Sequence, residues 1–352
     1  MPAECLERQM LLIGGEKEVR DMGNTMKKAL FTALFIALGC SVAAYGAASG
    51  DGKIFKFSIG AASPGGGFYM GASAVSTVVN SKLKGYEANV EVTGASANNA
   101  MLVQAGEIEM GMCATEVAWE AYNGKFDFEG KYKCDKIRTV MPGWGGVYMF
   151  ITTADSGIKD IYGFEGKGYS GGPVGSSNEI ISKRLFSLFG IKPKMMNLPT
   201  SDASRSLGDG TISGFTLAHP SAAVSELEAT QALKLLAIPK EGQQKFKEAY
   251  PQYIWLEIPK GYYKALPEGG YNAGLYNLVI SSSDQDEEFI YQVVKACYEN
   301  RELIKTVFPQ FSREMDLKFV ESATIPYHRG AVKYFKEQGI TLPEKLLPPE
   351  MK

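Results

Sequence analysis

Histidine is nearly absent from this chain, which has only His219 and His328 among 352 residues. The five cysteines, Cys5, Cys40, Cys113, Cys134 and Cys297, contain no Cys-x-x-Cys pair. Together these shortages leave a zinc site without ligands. Charge of one sign is also missing: 37 Lys and Arg face 39 Asp and Glu, a formal net charge of −2. No basic excess argues for nucleic acid. Beyond the N-terminal region, no stretch is long and apolar enough to span a membrane. No motif calls for a cofactor.

The one conspicuous apolar run lies near the start. Met26-Lys27-Lys28 precedes Ala29 to Val42, and a small-residue segment, Ala43 to Gly50, follows. A basic start, an apolar middle and a small-residue exit are the three parts of a secretory signal. Residues 26–48 therefore read as a signal peptide, with cleavage after Gly46 or Ala48. Gly39-Cys40 leaves lipoprotein anchoring through Cys40 as the alternative. Residues 1–25 carry Glu4, Glu7, Glu16, Glu18 and Asp21 against Arg8, Lys17 and Arg20. This is the wrong sign for a signal's leading segment, so they read as an extension upstream of a true start at Met26. The chain is accordingly expected in the periplasm.

The rest alternates strands with helices, which means an α/β fold with a largely parallel sheet. Phe55, Phe57 and Ile59 alternate as a strand, and Ala72, Val75, Val78 and Val79 recur at helical spacing. Val90 and Val92 begin a second unit, whose helix carries Met101, Leu102 and Val103 and stops at Gly106. Ile108, Met110 and Met112 follow as a strand, and Thr115 is placed to cap a helix ending near Gly124. An apolar, aromatic stretch from Thr139 to Thr153 suits a strand crossing between lobes, and the chain is expected to cross back near Tyr253 to Ile258. That division puts 54–146 with 259–345 in lobe I and 147–258 in lobe II.

The sharpest chemical feature is Ser63-Pro64-Gly65-Gly66-Gly67-Phe68-Tyr69, between a strand and a helix. Glycines let backbone N–H groups approach a ligand, and the following helix points its positive end at the same place. The pattern suits a carboxylate without a cationic side chain, although a tight structural turn would use the same residues. No Gly-Lys-Ser/Thr follows, so it is not a nucleotide P-loop. Ser96 and Asn98, at a second helix start, read equally as ligand contacts or caps. So do Ser176, Ser177 and Asn178 at a third. Phe68, Tyr69, Trp144, Tyr148 and Phe215 are candidate apolar walls, or simply core. Gly168-Tyr169-Ser170-Gly171-Gly172 matches the G-x-S-x-G nucleophile elbow, but Pro173 and Gly175 discourage the helix that elbow requires. Cys113 and Cys134 read either as a disulfide or as buried thiols.

Four blocks carry a family resemblance: Gly60 to Tyr69; Thr93-Gly94-Ala95-Ser96 through Gly106 to Glu116 and Gly124; Gly157-Ile158 through Gly166-Lys167 to Gly172-Pro173-Val174-Gly175-Ser176; and Pro326-Tyr327-His328-Arg329-Gly330-Ala331. In this order, from about Phe55 to Gly339, the chain resembles the TAXI family, the substrate-binding proteins of tripartite ATP-independent periplasmic (TRAP) transporters. The resemblance implies a two-lobed type II periplasmic-binding fold with two crossover strands, the solute held in the cleft. It also implies a partner membrane permease driven by an ion gradient, and places an acidic ligand-site residue at Glu116, where the family usually has Asp. Ser176 is followed by Ser177-Asn178-Glu179 instead of the usual small residue and Thr, and Ile212 to Thr216 replaces an Asp-Ala pair with aromatics. The expected solute is a small anion: a carboxylate, an amino acid or a 2-oxo acid. A ligand-binding sensor of the same fold, and a serine hydrolase, are the alternatives.

Overall fold

The computed structural model describes residues 54–351. The signal, the preceding extension and Cys40 lie outside the described residues. Among the described residues no helix is long and apolar enough to cross a membrane.

Three strand–helix units open the fold: β1 (Phe55–Gly60) and α1 (Gly67–Lys82), β2 (Tyr86–Glu91) and α2 (Ser96–Ala105), β3 (Met110–Ala114) and α3 (Thr115–Asn123). Strand β1 runs parallel to both β2 and β3. Helix α1 buries Ala72, Val75, Val78 and Val79 completely, the face its periodicity marks out. Helices α2 and α3 end at Gly106 and Gly124, both left-handed (φ 73° and 63°), where only glycine is unstrained.

The chain then enters β4 (Ile137–Thr153), buried over almost its whole length. A second set of units follows: β5 (Gly168–Ser170), α4 (Ser177–Phe189), β6 (Lys194–Met196), α5 (Thr200–Gly208), β7 (Gly214–His219), α6 (Ala222–Thr230) and β8 (Leu233–Leu236). Strands β9 (Ile254–Ile258) and β10 (Gly270–Ser282) bring the chain back. The sheet order is β2-β1-β3-β10-β4-β7-β5-β6, with β8 also on β4 and β9 on β10. This is a two-lobed α/β fold, and β4 and β10 join its halves. From Ile137 to Val147, β4 pairs antiparallel with β10; its last residues pair with β7 and β8.

The return crossing differs from the sequence reading. Ile254–Ile258 pairs only with Gly270–Gly274 of β10, whereas β10 itself continues to β3. An intervening hairpin, invisible as an apolar pattern, moves the crossing into β10. Val92 is 58 % exposed and lies beyond the end of β2.

Candidate functional site

Four helix N-termini converge where the two halves of the sheet meet. The cavity between them, about 60 Å³, is lined by Ser63, Gly66, Gly67 and Phe68 at the start of α1, and by Ala95 just before α2. Ser176, Ser177 and Asn178 add the start of α4, and Thr200 the start of α5. Trp144, His219 and Asn277 close the wall from β4, β7 and β10. No lining residue is Lys, Arg, Asp or Glu.

Local chemistry leaves three of these ends without a side-chain cap, while the Ala97 N–H of α2 is taken by the Gly175 carbonyl. The first N–H groups of a helix have no intrahelical acceptor. Helices α1, α2 and α5 begin after Gly66, Ala95 and Pro199, none of which supplies a side-chain cap. Ser176 does cap α4, accepting from the Glu179 N–H at 3.2 Å, and it faces the cavity as well. The amide oxygen Oδ1 of Asn178 is buried without a partner among the described residues. His219 is neutral, pushed down to about 4 by burial and then by Arg313, and its Nδ1 lies 3.2 Å from the Tyr263 hydroxyl. Trp144 is held edge-on by Phe68 and packed against Phe308 and Phe311, which fixes the apolar wall.

The two halves touch directly at this point. The Ala97 N–H donates to the Gly175 carbonyl at 3.1 Å, joining the start of α2 to the loop before α4. Gly94 permits the approach, since a Cβ there would lie 2.9 Å from the Val174 carbonyl oxygen.

Of the residues singled out from sequence, Ser63, Gly66, Gly67, Phe68, Trp144, Ser176, Ser177 and Asn178 line the cavity. The remainder do not. Gly65 (φ 82°) makes the turn and faces a separate surface hollow. Tyr69 packs against the core, and Phe215 is buried in the cluster with Met149 and Leu217. Ser96 is not a cap but the first helical residue; its hydroxyl accepts from the Ala114 N–H at 3.1 Å. Asn98 accepts from the Gly94 N–H at 3.0 Å, shaping the loop beside the cavity. Glu116 is buried behind the site, its Oε1 accepting from the Tyr148 hydroxyl at 2.6 Å. Sequence reasoning missed Ala95, Thr200, His219 and Asn277. The convergence of four helix starts from separate stretches of chain carries no local sequence signal.

A larger hollow of about 660 Å³ lies against the same strands and shares His219 as part of its wall, with Tyr262, Tyr276, Arg313 and Lys318 around it. It has none of the uncapped helix starts, and two of its acidic residues, Glu257 and Glu314, oppose its cations.

The other motifs resolve structurally. Ser170 is fully buried, accepting from the N–H groups of Gly172 and Leu198, and α4 begins only at Ser177. The elbow geometry is not formed. His328 caps the helix Arg329–Glu337, accepting from the Gly330 N–H, and its Nε2 meets the Gln285 carbonyl. Cys113 and Cys134 are free, buried thiols.

A central sheet of two α/β halves, joined by two crossing strands with a cleft at the junction, defines the type II periplasmic binding protein fold. Two solved structures share it. MatC from Rhodopseudomonas palustris, solved with bound malate, matches with a TM-score of 0.52 at 14% identity, covering 81% of this chain and 96% of that one. The periplasmic binding protein BugD matches with a TM-score of 0.51 at 10% identity, covering 81% and 98%. The chain belongs to the NMT1-like family, whose model matches residues 59–339.

Proposed function

We propose that this is an exported solute-binding protein that captures a small carboxylate and passes it to a membrane permease of the TRAP type, within the TAXI group. The observation that carries the reading is the convergence of four helix N-termini on a cavity whose walls hold no charged side chain. Unsatisfied N–H donors and the helix dipoles together favour an anion there. The malate bound in MatC is in keeping with a carboxylate. Residues 26–48 would serve as the export signal, placing the mature chain in the periplasm.

A thermal-shift screen of dicarboxylates, amino acids and 2-oxo acids tests this. A true ligand at a hundredfold excess over Kd should add about 2.7 kcal/mol. A neutral or cationic best ligand overturns the reading. Ser63→Ala should cost on the order of 1 kcal/mol of binding by calorimetry, because its hydroxyl is one contact among several.

The donors come from both sides of β4 and β10, so neither half completes the site alone. The reading therefore places a hinge where β4 and β10 cross between the halves. Small-angle scattering should show compaction on adding the identified acid; superimposable profiles count against the hinge.

A further inference from the structure

Behind the cavity sits a carboxyl group that solute binding does not use. Glu116, in the first turn of α3, is 1 % exposed. Its Oε1 accepts from Tyr148, while Oε2 is buried with no partner among the described residues. Tyr148 is influenced in turn by the side chain of Ser177, and Ser177 lines the cavity. Ser177 and Tyr148 thus stand between the solute site and Glu116.

What surrounds the carboxyl decides its behaviour. Its own helix contributes Glu120, β3 contributes the Cys113 thiol, and α4 contributes Arg184. Tyr148 comes from the later part of β4, and Tyr253 from the segment before β9. Burial pushes Glu116 up to about 7, against the pull of the Tyr148 hydrogen bond; Glu120 adds to the rise and Arg184 opposes it. Both histidines, pushed down to about 4, stay neutral from pH 6 to 8, and the nearby Cys113 thiol is raised further out of that window.

Glu116 belongs to the half that carries α1–α3, whereas Tyr148, Ser177, Arg184 and Tyr253 belong to the other. We propose that closure of the two halves takes up a proton at Glu116, so that capture of a solute is coupled to protonation. This deepens the binding reading above and rests on its hinge. Opening would let water reach the carboxyl and return it towards the ordinary glutamate value near 4.5. The sign follows. The closed state holds the proton more tightly, so its advantage is complete below the open-state value and is lost as pH rises through about 7. From pH 6 to pH 8 the closed-to-open ratio should fall about tenfold.

Two measurements on the mature chain test this without any solute. The Ala97 amide, bonded across the halves to Gly175, reports closure through its hydrogen-exchange protection factor. After correction for the intrinsic pH dependence of exchange, that factor should drop about tenfold between pH 6 and 8. In Glu116→Gln, which keeps the neutral form, it should stay level. Infrared difference spectra should show a protonated-carboxyl stretch that titrates near pH 7 and is missing from Glu116→Gln. A pH-independent factor, the same slope in the variant, or a band titrating near 4.5 overturns the proposal. Neither readout involves a solute, so such a failure leaves the binding reading intact. A screen with no acid binder would sink that reading by itself.

Discussion

Replacing Arg184 with Ala should lower the unfolding free energy by about 3–5 kcal/mol, measured by urea denaturation. The guanidinium reaches from α4 to both carboxylate oxygens of Glu120 at 2.7 Å, to Asp127 at 2.7 Å and to the Tyr253 hydroxyl at 3.1 Å. The rings of Phe126, Tyr250 and Tyr253 lie within 5.2–5.9 Å of its centre. Glu120 is fully buried, so losing its cation strands a carboxylate in a low-dielectric site with only Gln252 as a further donor. The loss comes mostly from that stranded charge, which gives a sharp control. Arg184→Met combined with Glu120→Leu should recover most of the stability, since two apolar residues of similar volume can replace a buried pair at little cost. If the double variant is no better than Arg184→Ala, packing of the guanidinium on the rings is the larger contribution. Arg184→Lys should rescue only partly, because a point charge cannot reproduce the two-pronged bond.

Gly66→Val should weaken acid binding by at least tenfold, about 1.4 kcal/mol, with little change in stability. The backbone at Gly66 is extended (φ −91°, ψ 159°), a conformation that suits a β-branched residue. An added Cβ would meet only the Ser63 carbonyl at 3.4 Å and Thr200 Oγ1 at 3.9 Å. The isopropyl group would occupy much of a cavity of only about 60 Å³ and block the α1 donors. Gly71→Ala is the matched contrast. Its Cβ would fall 2.5 Å from the Trp144 ring, so stability should suffer even though Gly71 is outside the cavity wall. Undiminished affinity in Gly66→Val, by calorimetry with the identified acid, would remove the glycine loop from the site.

What the sequence made legible was local. Strand β1, the apolar face of α1, and the helix stops at Gly106 and Gly124 follow from alternation, helical spacing and glycine at left-handed positions. What stayed hidden depends on contacts between distant segments. Arg184 and Glu120 lie 64 positions apart and look like ordinary solvated charges on their helices. Asn277 reaches the cavity from β10, where its Nδ2 also donates to the Trp144 carbonyl. Ser96 was misread for a subtler reason. Serine favours the cap position, but Ala95 occupies it in an unusual conformation (φ 70°, ψ −146°), and Ser96 is drawn inward to β3. Phe215 shows the limit of reading aromatics: β7 is buried on both faces, and burial alone does not separate Phe215 from its cavity-lining cluster-mate Leu217.

The paired strands β4 and β10 carry a mechanical consequence. Their ladder is continuous except for register shifts between Tyr276 and Leu278 and between Val279 and Ile280. Beside them, Gly143 and Gly146 press so closely on neighbouring backbone that a Cβ would lie 2.9 Å from the Asn277 carbonyl and 3.2 Å from that of His219. Each of the two strands is also paired on its outer side, β10 with β3 and β9 and β4 with β7 and β8, so the proposed hinge must bend a paired sheet and not two free tethers.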